Sequence, residues 1–120
     1  MSSRYYLGEF EHIVVLALMR LGQSAYGVTV RQEIAARIRR DVSVGAIYAT
    51  LERLEAKGYV TSQLGEPTPE RGGRSKRFFR VTTKGVSAVN RTHRALLSMS
   101  EGLNLVGRYS WSHASFGRPS

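Results

Sequence analysis

The sequence predicts a mainly α-helical chain with one small β-hairpin, arranged as a winged helix-turn-helix followed by a last helix. Three observations predict it. The first 58 residues hold three segments whose apolar residues recur at three- and four-residue spacing, the period of a helix buried along one side. Two short runs rich in β-prone residues, 59–64 and 77–81, flank a stretch containing Gly65, Pro67, Pro69, Gly72 and Gly73, which suits a loop and neither strand. The excess of positive charge begins after residue 70 and not before it.

The first helix is expected over 9–21, where Phe10, Ile13, Val14, Ala17, Leu18 and Leu21 form the apolar line. Val15, Leu16 and Met19 widen the arc, so this helix is expected to be buried on more than one side. Gly22 ends it. The second helix is expected over 26–38, with Val30, Ile34 and Ile38 on one face and Arg31 and Arg37 elsewhere; Arg39, Arg40 and Asp41 form a polar connection. The third begins after Ser43, whose hydroxyl can accept from an otherwise unpaired backbone N–H. It runs to about Lys57 and stops at Gly58. Ile47, Leu51 and Leu54 line its inner side. At about 100° per residue, the opposite side holds Gly45, Ala46, Ala49, Glu52, Arg53 and Ala56. The first half of that outer face is small and uncharged, unlike the Lys/Glu mixture of a solvated face. Small residues let a helix backbone come close to a grooved surface.

In the first strand, Val60, Ser62 and Leu64 share a face; in the second, Phe79 and Val81 point one way and Phe78 and Arg80 the other. Thr82 or Thr83 then caps a last helix over about 84–106. Val89, Leu96, Met99, Leu103 and Val106 follow a spacing of about 3.5 residues, with Thr92 or His93 in the seam. Two turns of that seam are polar or small, which makes a weak coiled-coil signal. Residues 107–120 are rich in Ser and Gly, carry Tyr109, Trp111 and Phe116 without helical order, and read as a flexible tail. The expected division is therefore a winged-helix domain over 1–83, a last helix over 84–106 and a tail over 107–120.

Composition narrows the function. Of 120 residues, 18 are Lys or Arg and 9 are Asp or Glu, giving +9 and a pI near 10.7. Residues 1–70 hold eight basic and eight acidic residues and cancel. Arg71, Arg74, Lys76, Arg77, Arg80, Lys84, Arg91 and Arg94 follow with no acid between them. A run of one sign is often only a solvated surface, but this run falls on the hairpin and points to a polyanion. The absence of cysteine excludes a disulfide scaffold, a Cys-based zinc site and a thiol nucleophile. The longest apolar run, Ile13 to Met19, is too short for a bilayer and follows no signal-peptide n-region, so a cytoplasmic protein is expected. Gly72-Gly73-Arg74-Ser75-Lys76 lacks the spacing of a P-loop and opens no helix. His12, His93 and His113 belong to different elements, without His-x-x-x-His or carboxylate pairing. No metal, no cofactor and no enzymatic activity are expected.

In a winged helix the third helix lies in the DNA major groove with its N-terminal residues near base edges. Gly45, Ala46 and Ala49 would permit that approach, and Arg71, Arg74, Lys76 and Arg77 would reach phosphates, supplying affinity and salt dependence more than sequence choice. Several residues carry two readings. Tyr48 is either an aromatic flank sealing the helix against the hairpin or a hydroxyl donor to phosphate. Thr50 lies beside it, and Arg53 is either a guanine reader or a surface ion-pair partner. Ser43 is first a cap and second a phosphate-side contact. Tyr26 is a packed aromatic or a phosphate contact at the start of helix two.

These residues also resemble a known family. Tyr26-Gly27 opens the second helix. Ile47-Tyr48 is followed by Leu51-Glu52-Arg53-Leu54 and the Gly58 stop. Phe79-Arg80-Val81-Thr82-Thr83-Lys84-Gly85 leads into the final helix. The three pieces, in this order and spacing over about residues 7–103, resemble the PadR family of bacterial transcriptional regulators, in its short form with a single C-terminal helix. The family's usual Tyr-Tyr on the last strand is Phe78-Phe79 here, which removes two hydroxyls. The resemblance moves Tyr48 toward phosphate contact. It implies a homodimer held through the last helix, on a roughly palindromic operator, usually as a repressor. A small aromatic effector entering between the dimer's helices is a third reading, which the ligand-sensing members of that family allow. Phe10 or Val14 would line that pocket or the dimer core, with Val89, Leu96, Met99 and Leu103. The alternative reading is a winged-helix module for RNA or a protein partner without effector control. The third helix argues against RNA, because the A-form major groove is too narrow for it.

Overall fold

The structure, a computed structural model, describes residues 5–65 and 76–105. Its elements are α1 (Glu9–Leu21), a single 3-10 turn (Gly22–Ser24), α2 (Gly27–Ile38), α3 (Val44–Ala56), β1 (Val60–Leu64), β2 (Arg77–Val81) and α4 (Thr83–Ser100). The two strands pair antiparallel, with Val60 opposite Val81 and Ser62 opposite Phe79. That register puts Val60, Ser62, Phe79 and Val81 on the inner face. The hairpin is tied to the start of α2 as well, because the Phe79 N–H donates to the Ala25 carbonyl at 2.9 Å.

One core serves all four α-helices and both strands. Val14, Val15 and Leu18 of α1 meet Val30 and Ile34 of α2, Ile47, Leu51 and Leu54 of α3, Phe79 of β2 and Ala88 and Val89 of α4. Val15 joins this core as expected, but Leu16 and Met19 remain exposed, as does Ile38 at the end of α2. The expected arc of α1 is therefore narrower than the sequence suggests.

Local capping sets the ends. Ser43 Oγ accepts from the Ala46 N–H at 3.0 Å, and Thr82 Oγ1 accepts from the Gly85 N–H at 3.0 Å, so Thr82 and not Thr83 caps α4. Thr82 also donates its hydroxyl to the Gly58 carbonyl at 2.7 Å, fastening the start of α4 to the turn after α3. The last helix ends at Ser100, six residues short of the expected 106. Glu101 is extended and Gly102 takes φ 86°, a left-handed conformation that an L side chain resists and that stops the helix. Leu103 lies beyond it, outside the helix. The N-terminal strap is held on α4: Thr92 Oγ1 accepts from the Leu7 N–H, and the Arg91 guanidinium donates to the Tyr5 carbonyl over the Tyr5 ring.

The end of α2 shows the opposite economy. Arg39 closes the helix at φ 55°, the one positive φ at a non-glycine residue among the described residues. A left-handed L residue costs about 1–2 kcal/mol, partly offset by the larger unfolded-state freedom of glycine. Arg39→Gly should therefore raise stability by about 0.5–1 kcal/mol. Urea denaturation measures this, and an unchanged or lower midpoint would show that Arg39 gains more from its side chain than its backbone loses.

Candidate nucleic-acid interface

α3 presents two chemically distinct sides. Ile47, Leu51 and Leu54 are fully buried, while Gly45, Ala46, Ala49, Glu52, Arg53 and Ala56 are all exposed. The expected outer face is thus the solvent face, and its N-terminal half carries no side chain larger than a methyl group beyond the Ser43 cap. Thr50 is a correction. It is only 2 % exposed, because it stands three residues after Ile47 and four before Leu54 and so falls on the inner line. Its hydroxyl accepts from Arg53 Nη2 at 3.2 Å, so Thr50 orients Arg53 and does not itself reach a duplex.

Two motif pieces that are distant in sequence form one contact. The Tyr48 ring lies on Gly27, where an added Cβ would stand 2.5 Å from Cε2 of the ring. The Tyr48 ring also tilts against Phe79 at 6.0 Å between centroids. Glycine at 27 is therefore the space for Tyr48, which packs α3 against the start of α2 and the hairpin. Tyr26 forms the matching edge. It meets Phe78 edge-on at 5.3 Å, and Lys76 Nζ sits 5.1 Å from its ring centroid. Lys76, Tyr26 and Phe78 thus join the base of the wing to α2. Arg77 is bonded within the domain, to Glu55 Oε1 at 3.0 Å and Ser62 Oγ at 3.1 Å. Arg71 and Arg74 lie outside the described residues, as do Val106 and the tail from 107.

The second candidate group divides. Val14 and Val89 are buried in the chain's own core, and Phe10 is half-buried under the Arg40 guanidinium, which is 5.2 Å from its ring centroid. Leu96, Met99 and Leu103 are exposed, Met99 by 80 %. Leu96, Met99 and Leu103 are thus accessible on the surface, and Val14 and Val89 are not. Leu96 shares an open apolar groove between α1 and α4 with Tyr6, Leu7, His12, Ile13 and Leu16.

Sequence spacing separated His12 from His93, but the fold brings them together, with ring centroids 6.5 Å apart and planes nearly perpendicular. His12 is 8 % exposed, and its Nε2 has no hydrogen-bond partner. Burial, and then the neighbouring His93, hold its pKa below the ordinary histidine value. A depressed histidine contributes stability that is complete above about pH 6.5 and is lost as pH falls toward the folded-state pKa. Glu11 is also depressed, but its contribution is lost only below the ordinary carboxylate range. Between pH 7.5 and 5, His12→Phe should therefore flatten the fall in urea midpoint relative to wild type. Identical slopes in the two proteins would remove His12 as the cause.

Three packed helices, a hairpin folded onto the start of the second and a small-faced third helix define a winged-helix domain. Residues 15–91 match the transcriptional regulator PadR-like family, and the chain belongs to that family. As a member of that family it is a transcriptional regulator and not an enzyme. Solved structures agree on the fold. A PadR-like transcription factor from Bacteroides fragilis is 22 % identical with a TM-score of 0.68, covering 82 % of this chain and 88 % of that one. A transcriptional regulator from Clostridium thermocellum is 20 % identical with a TM-score of 0.64, covering 81 % and 88 %. F93 from STIV, a winged-helix DNA-binding protein, is 20 % identical with a TM-score of 0.62, covering 81 % and 97 %. No curated protein sequence matches the chain. No helix among the described residues is long and apolar enough to cross a membrane.

Proposed function

We propose that the chain acts in the cytoplasm as a homodimeric repressor on a pseudo-palindromic operator, released by a small-molecule effector or another signal. The observation that carries the DNA reading is the outward face of α3, where Gly45, Ala46 and Ala49 are exposed in succession behind the Ser43 cap. No bulky side chain keeps that backbone from the floor of a major groove, whose width admits one helix. Ser43 caps this helix and Tyr48 and Arg53 stand on it, Tyr26 and Lys76 pack together at the start of α2, and Arg71, Arg74 and Arg77 belong to the same basic segment. The winged-helix neighbour described as DNA-binding supports the same reading.

Dimerisation through the last helix is supported by its exposed apolar residues. Leu96, Leu97 and Met99 are exposed on the C-terminal half of α4, and Leu103 and Leu105 follow. A helix end this apolar is unusual for a surface left in water. The division proposed is a winged-helix domain with a C-terminal dimerisation helix beyond residue 83. An effector of small aromatic type would enter near Leu96 and Met99, and it can switch the repressor only by binding its two conformations unequally. Selection of duplexes from a random-sequence pool tests the reading, with structured RNA as competitor and sedimentation of the complex. The expected result is a two-fold symmetric site with half-sites about one helical turn apart, bound by two copies. A single asymmetric site, one bound copy or equal competition by RNA would overturn it.

A further inference from the structure

A charged contact joins the first turn of α1 to the C-terminal end of α3. Glu11 Oε2 accepts from Lys57 Nζ at 2.8 Å and stands 3.8 Å from Arg53 Nε, while Glu11 Oε1 accepts from the Gly8 N–H at 3.1 Å. The Glu11 side chain is 12 % exposed, so this is not a solvated surface pair. Burial alone would raise its pKa. The Lys57 hydrogen bond, the Gly8 N–H and the charges of Lys57 and Arg53 outweigh burial and hold the carboxyl ionised, below the ordinary carboxylate range.

We infer that Glu11 is a positioning residue for the third helix, fixing the pitch at which its outer face meets a duplex and holding Arg53 and Lys57 against the domain. This rests on the reading of α3 as the helix that enters the groove. Hydrophobic packing of Ile47, Leu51 and Leu54 sets how deeply α3 sits in the core, but it is non-directional and tolerates small rotations and tilts. A charge-assisted hydrogen bond is directional. It acts here at Lys57, the C-terminal cap of a helix about 20 Å long, where a small shift at one end moves the other. Arg53 is hydrogen-bonded to Thr50 Oγ1 within the helix and lies 3.8 Å from Glu11 across to α1. With Glu11 neutral, both cations become available to phosphates and the helix loses its far anchor. Sequence preference and bulk affinity should then move in opposite directions, which general destabilisation would not produce.

The test uses the full chain and two duplexes of equal length, the one wild type selects from a random pool and a scrambled one, titrated over a salt series. Glu11→Gln keeps the shape of the side chain and an acceptor for the Gly8 N–H. It should lower the preference for the selected duplex about tenfold, bind the scrambled duplex more tightly and steepen the salt slope by about 1–2 as one or two phosphates are gained. Lys57→Gln should also lower the preference, while binding the scrambled duplex no more tightly than wild type. The inference is overturned by an unchanged preference in a folded Glu11→Gln protein, or by a preference lost in Glu11→Gln but kept in Lys57→Gln. If Glu11→Gln does not fold, Lys57→Gln alone decides. If wild type selects no sequence, the reading of α3 fails first and the positioning role goes with it.

Discussion

Ala49→Glu should abolish useful binding to the selected duplex, weakening it by about a hundredfold or more, with little change in melting temperature. Ala49 is exposed on α3, one turn beyond Gly45 and Ala46. Glutamate is nearly as good a helix former as alanine, so the free protein has little to lose. In the complex the new carboxylate would be pressed among phosphates and base edges. Like charges brought together across an interface cost several kcal/mol, and each 1.4 kcal/mol is about tenfold in affinity. Fluorescence anisotropy with the selected duplex measures the loss. A drop of less than about tenfold would mean that this face of α3 does not enter the groove.

Gly85→Ala should have the largest effect on the fold. A Cβ at Gly85 would stand 2.2 Å from the Tyr59 carbonyl oxygen and 2.8 Å from Val81 Cγ1. The nearer obstacle is backbone, and that backbone is itself fixed, because the Tyr59 carbonyl also accepts from the Thr82 N–H at 3.0 Å. Neither a rotamer change nor a small shift relieves the clash. Alanine gains about 1 kcal/mol of helix propensity over glycine, but overpacking costs about 1–3 kcal/mol and more where backbone must move. A net loss of about 2 kcal/mol is expected, lowering the melting midpoint by about 10 °C. A midpoint at or above that of wild type would show that α4 can slide away from β1 at no cost.

Much of the fold was legible because its signals are local. Periodicity gave the first three helices, Ser43 gave the start of α3, and the glycine- and proline-rich stretch marked off the two strands in sequence. The misses at Thr50, Leu16 and Met19 share one cause, tertiary packing, and the one at Leu103 is local. Thr50 looked like an outward neighbour of Tyr48, yet it packs inward, because its direction depends on how α3 is rotated against α1 and α2. Leu16 and Met19 looked like core because apolar character says nothing about whether a neighbour exists. Leu103 was placed in the last helix by its spacing, but Gly102 stops the chain before it. Of the candidate site, the outer face of α3 was readable from helix geometry alone. The Glu11–Lys57 tie, the seat of Tyr48 on Gly27 and the His12–His93 pair were not, since each joins residues more than 20 positions apart.

The sequence by itself determined the element order, the Ser43 start of the third helix, the neutral first 70 residues and the basic segment after them, and so the winged-helix class. These follow from backbone propensity, side-chain period and charge, which act over a few residues. Only the tertiary structure decided which side chains are free to touch a partner. It turned Thr50 inward, committed Arg77 to Glu55, buried Val14 and Val89 and left Leu96 and Met99 in water. The physical reason is that burial and pairing depend on what packs opposite each residue, and that is fixed only when distant segments meet in one core.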